Sequence, residues 1–161
     1  MKRTENKSWN NVASDRQLWL VAVSGAIVGV VFAWLTGTEL PGEHALATAV
    51  AVSVVYPVLE ELAFRGAVQG LLLRWLPGAL GFFTKANLIT SLVFAGAHYG
   101  VQNHPLTWLV FIPSLAFGWS RDRHHNLAGC IGLHVMWNAA FVLGTLILLS
   151  QNCRRYDIFH R

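Results

Sequence analysis

Apolar residues in this chain run in long blocks separated by short polar breaks, with no sustained alternation. Leu18 to Leu35 is eighteen residues without a charge, enough for a helix to cross the ~30 Å hydrocarbon core of a bilayer. Thr36 to His44 is a polar turn carrying Glu39, Pro41, Gly42 and Glu43. Ala45 to Leu59 is again uncharged and leads into Glu60, Glu61 and Arg65; apolar character then resumes to Leu73 and stops at Arg74 and Pro77-Gly78. As one helix, Ala45 to Trp75 would be about 46 Å long, so a kink near Pro57 or an end protruding into water is expected. Three further apolar stretches follow: Phe82 to His98, interrupted by Lys85 and Asn87; Leu106 to Trp119, with Pro113; and Leu127 to Leu149. The pattern predicts an all-α, multi-pass transmembrane bundle of five or six helices. Residues 1–17 form a polar N-terminus, 18–149 the membrane domain and 150–161 a basic tail.

Composition agrees with lipid as the main solvent. Of the 161 residues, 54% are hydrophobic and 12% charged, against about 25% charged in soluble domains. The net charge of +4 comes from basic residues beside apolar spans, the usual flank of membrane segments rather than a nucleic-acid surface. Cys130 and Cys153 form neither a CxxC motif nor a disulfide framework. The polar start before the first apolar run is not the pattern of a cleavable signal peptide. Lys2, Arg3, Lys7 and Arg16 precede the first span, Arg74 and Lys85 follow the second, and Arg121 and Arg123 follow the fourth. This alternation predicts a cytoplasmic N-terminus. Arg154, Arg155 and Arg161 break it, for five full crossings would put them outside.

Ionisable residues within membrane spans are costly and point to function. Here they are Glu60, Glu61, Arg65, His98 and His134, with Asn138 one turn after His134. Counted at 1.5 Å per residue, Glu60 lies about 22 Å from Ala45, His98 about 16 Å from Asn87 and His134 about 10 Å from Leu127. These depths place all three toward the cytoplasmic half. Glu61 and Arg65 have the four-residue spacing and order of a helical ion pair. Glu60 is turned about 100° from Glu61, which leaves it free to face a cavity. Phe94 with His98, and His134 with Asn138, each share a helix face.

Glu60-Glu61-x-x-x-Arg65, Phe94-x-x-x-His98 and His134-x-x-x-Asn138, in that order, resemble the three motifs of the CAAX protease and bacteriocin-processing family. The resemblance covers about Ser53 to Leu143 and suits a compact bacterial member in the cytoplasmic membrane. It implies a metal-independent intramembrane endopeptidase with no cofactor. Glu60 would be the general base and His98 would help it hold a water, while His134 and Asn138 would donate to the oxyanion. Glu61 and Arg65 would brace the helix and Phe94 would pack beneath the site. The implied partners are the bilayer and a membrane protein or a lipidated or C-terminal tail peptide, with no nucleic acid. A prenylated CAAX tail, a sorting-signal tail and a bacteriocin leader remain open as substrates.

Plainer readings stand beside these. Glu61–Arg65 is foremost a structural pair, and Asn138 can be glue between helices. Glu60 can snorkel to the interface, and each histidine can be an interhelical hydrogen-bonder. His104, His124 and His125 read as solvated loop residues. One Glu and two His are zinc-ligand types, so a zinc peptidase is the chemical rival, although no HExxH occurs and Arg65 would repel a cation. A non-catalytic immunity or scaffold protein of the same fold is the rival class. Trp19, Trp34, Trp75, Trp108 and Trp119 sit near span ends, as in a membrane-interface belt.

Overall fold

The first helix starts at Asp15, whose carboxylate accepts a hydrogen bond from the backbone N–H of Gln17 at 3.0 Å. It stops at Gly37, whose φ of 59° suits a residue without a Cβ. The computed structural model describes residues 12–37 and 45–159, with side chains through residue 151. Helix α1 spans Arg16–Thr36, α2 spans Ala45–Trp75, α3 spans Lys85–Gln102, α4 spans Phe111–His124 and α5 spans Ala128–Phe159. The fold is all-α, with five helices in the expected order. Three segments, Arg16–Thr36, Ala45–Trp75 and Ala128–Gln151, are long and apolar enough to cross a membrane. The chain is a membrane protein.

Helix α2 widens on either side of Pro57, with π-helical turns at Ala51–Val55 and Leu62–Val68. The first has a clear cause. Tyr56 N–H bonds five residues back to Ala51 O, so Val52 O loses its usual partner. The next donor in line would be residue 57, a proline without an N–H. Asn138 Nδ2 on α5 supplies the missing bond to Val52 O at 2.9 Å.

Helices α1 and α5 pack through small residues, as lipid-embedded helices do. The Trp137 indole occupies the place of a Gly25 side chain, where a Cβ would lie 1.8 Å from its ring. Its Nε1 donates to Ala22 O at 3.0 Å. Gly144 meets Val30 and Ala33 in the same way. Between α2 and α3 the sequence suggested only a break at Pro77-Gly78. The structure adds a small antiparallel hairpin, Ala79–Leu80 with Phe83–Thr84. Gly81, at φ 63°, is the first residue of its two-residue turn, a position that favours glycine.

The bundle has one basic end. Asp15 meets Arg123 and His124, joining the start of α1 to the end of α4. Thr84 Oγ1 donates to Asp122 Oδ2 at 2.7 Å, bringing the start of α3 to the same place. Arg74 at the end of α2 lies across a groove from Arg121. Arg16, Arg74, Lys85, Arg121 and Arg123 therefore share one end, and Arg65 is the one other basic residue among the described side chains. The charged positions Lys2, Arg3, Lys7, Glu39, Glu43, Arg154, Arg155 and Arg161 lie outside the described side chains. His124, read from sequence as a solvated loop residue, instead ends α4 with its side chain only 5% exposed. Its Nδ1 contacts Ser120 O and its Nε2 contacts Asp15, each at 3.0 Å.

Candidate active site

Glu61, Arg65 and Gln69 recur every four residues along α2, and all three are fully buried. They face Ser114, Gly118 and Asp122, which recur every four residues along α4. Arg65 Nη2 donates to Ser114 O at 2.9 Å and Ser114 Oγ at 2.7 Å. Gln69 Nε2 donates to Gly118 O at 3.1 Å and Asp122 Oδ1 at 2.7 Å. The two helices thus run parallel in fixed register. Gly118 lets α3 join them, since a Cβ there would lie 1.9 Å from Asn87 Oδ1. Asn87 Nδ2 in turn donates to Leu115 O at 3.0 Å.

This stripe fixes Glu61. Its Oε2 lies 3.3 Å from Arg65 Nε, the expected ion pair, and its Oε1 lies 2.9 Å from His134 Nδ1. The Glu61–Arg65 pair expected from spacing is present, and the structure adds a contact to His134: one carboxylate reaches Arg65 with one oxygen and His134 with the other. Phe117 stacks on the His134 ring, centroids 4.4 Å apart and planes 17° apart. A buried carboxylate accepting from Nδ1 leaves Nε2 of a neutral His134 with its lone pair outward.

Glu60, one residue earlier and turned to another side, is partly open. His134 Nε2 lies 3.6 Å from Glu60 Oε2, and His98 Nε2 lies 3.9 Å from Glu60 Oε1. His98 is held by its own helix, with Nδ1 3.0 Å from Phe94 O. A carbonyl only accepts, so Nδ1 carries the proton and Nε2 faces Glu60. The Phe94 ring lies between the histidines, 4.3 Å from His98 and 6.0 Å from His134 by centroid, with the Arg65 guanidinium 5.4 Å away.

Glu60, Glu61, Arg65, Phe94, His98 and His134 therefore converge from three helices. Asn138 joins through backbone, holding the widened turn of α2 that precedes Glu60. His98 sits one turn from the Asn103 end of α3, away from the basic end, whereas His134 sits about 10 Å from the α5 start at the basic end. Helix α3 is about 27 Å long, and His98 meets Glu60 from the part of it remote from the hairpin.

Sequence reading passed over Gln69, Asn87, Ser114, Phe117 and Asp122. Polar side chains on one helix face were the available signal: Gln69 lies four residues after Arg65, and Asp122 lies eight after Ser114. Nothing in the sequence marked Phe117. Among the described residues, no three His, Cys, Asp or Glu side chains are grouped at metal-holding geometry. The family model described as "Type II CAAX prenyl endopeptidase Rce1-like" matches residues 42–140. No curated protein and no solved structure matches the chain.

Proposed function

Because this chain belongs to the type II CAAX prenyl endopeptidase Rce1-like family, we propose that it cleaves peptide bonds within the membrane with Glu60 as the base. The observation that carries this reading is Glu60 between two imidazole Nε2 atoms, at 3.6 and 3.9 Å. Both separations exceed a direct hydrogen bond, and a water against Glu60 would have both rings within reach. Glu60 takes a proton from that water, and the oxygen adds to the scissile carbonyl carbon. The carbonyl π electrons move to oxygen. When the tetrahedral centre collapses, the C–N bond breaks and Glu60 returns the proton to the leaving amine.

The oxyanion needs preorganised donors. His134 supplies one from Nε2 when it carries a proton there, with Glu61 holding the ring through Nδ1. Asn138 uses one amide hydrogen on Val52 O and retains a second. The substrate is a membrane-tethered tail: a prenylated CAAX end, a sorting-signal tail or a bacteriocin leader. The positive-inside rule puts the basic end, and the N-terminus with it, in the cytoplasm of a bacterial cell.

Membranes carrying wild-type or Glu60→Gln protein, incubated with candidate tail peptides of these three kinds, test the reading by mass spectrometry. Fragments formed only by wild type, ending at one bond, support it. Equal fragments from both proteins would refute it.

A further inference from the structure

Outside the Glu60 site, a groove of about 540 Å³ separates the C-terminal half of α2 from the last turns of α4 at the basic end. Gly66, Ala67 and Gly70 form its α2 side, with Leu71 and Leu73 beside them. Arg74 and Arg121 bring two positive charges to it. Neither arginine forms an ion pair among the described residues. Arg121 Nε is buried and donates to nothing among them. The nearby carboxylate, Asp122, already accepts from Gln69 and Thr84. Arg74 is exposed and Arg121 half-buried, and two guanidiniums facing one groove without a carboxylate partner among the described residues suit an anionic ligand.

The surroundings identify the kind of anion. Leu71 is exposed at the groove, and Trp75 and Phe82 are exposed at the same end, Phe82 at the hairpin tip being 95% exposed. A small free anion would need only the guanidiniums. An amphipathic one would also use the apolar margin, and basic pockets between helices suit anionic lipid headgroups. We propose that this groove binds the phosphodiester headgroup of an anionic phospholipid, held by Arg74 and Arg121 with an acyl chain along Leu71. The groove borders the π-helical turn Leu62–Val68, which carries Arg65. Bound lipid would therefore steady the segment behind Glu61. The assignment is independent of the proposed chemistry.

Native mass spectrometry of the purified chain, offered phosphatidylglycerol or phosphatidylcholine, tests the site. One phosphatidylglycerol should be retained in preference to phosphatidylcholine, with affinity falling about fivefold for each of Arg74→Gln and Arg121→Gln. Arg16→Gln, an equal charge loss at the same end but outside the groove, should change little. Gly70→Leu keeps both arginines and fills the groove, because a Cβ at Gly70 meets only Arg65 O at 3.9 Å. It should also lose the lipid, and it preserves the test if the arginine variants fold poorly. Three results would overturn the proposal: equal retention of both lipids, equal losses from Arg16→Gln and the groove variants, or displacement of phosphatidylglycerol by inorganic phosphate.

Discussion

Glu61 Oε1 and His134 Nδ1 meet at 2.9 Å in the buried centre of the bundle, while the other Glu61 oxygen faces Arg65. Adjacent glutamates on one helix thus have different surroundings: Glu61 is sealed and doubly engaged, and Glu60 is open between two histidines. A carboxylate behind an imidazole fixes its tautomer and orientation.

Glu61→Gln should therefore do more than lower the amount of folded protein. Stranding Arg65 should cost about 3–5 kcal/mol, as broken buried pairs do. Loss of the carboxylate behind His134 should further cut turnover per folded molecule by about 10-fold or more, the scale seen for partners that orient metal-bound histidines. Arg65→Ala should destabilise similarly. Detergent melting and specific activity measured together distinguish these effects, and unchanged activity per folded Glu61→Gln molecule would reduce Glu61 to a brace.

The bond from Asn138 to Val52 O is tied to Pro57. Asn138→Ala leaves a carbonyl without a donor, at a cost of about 1–3 kcal/mol. In a Pro57→Ala background residue 57 regains an N–H, so the same change should cost less. A double-mutant cycle on melting temperature reads this coupling. If Asn138 also serves the oxyanion, activity per folded molecule should fall by about 10² to 10³ in both backgrounds.

The α1–α4 junction supplies a pH dependence. The Arg123 hydrogen bond holds the Asp15 carboxyl below its ordinary value of 3.8. A lowered folded-state value means that the stabilisation is complete above the ordinary value and disappears as pH falls through the lower one. Wild type should thus lose stability on acidification below about pH 4, on top of what other carboxylates contribute. Asp15→Asn should lack that component. Melting curves with parallel slopes for the two proteins would refute the assignment.

The fold was legible because lipid leaves few alternatives: uncharged runs such as Leu18 to Leu35 must be helices. The site was legible because Glu60, His98 and His134 are costly where they stand, unless they meet. Pairing between helices was not legible. Nothing in the periodicity of α2 says that Arg65 reads Ser114 or that Asn138 answers Val52, because apolar faces all round leave no preferred side. His124 misled for a similar reason, since its partner Asp15 is 109 residues away.

Metal dependence has its own test. One Glu and two His would bind about one zinc per chain in the rival mechanism, and exhaustive chelation would stop turnover. The metal-free account predicts turnover unchanged by chelation and no stoichiometric zinc by elemental analysis. Activity lost with zinc and restored on its return would favour the rival.

The most direct measurement is cleavage per folded molecule by purified Glu60→Gln protein, reconstituted with a membrane-tethered peptide that wild type cuts. The variant keeps the size and polarity of the side chain but cannot take the proton from water. Removing a partly desolvated carboxylate should leave melting temperature equal or higher while cleavage stops. Wild-type cleavage by folded Glu60→Gln protein would contradict the assignment of Glu60 as the base.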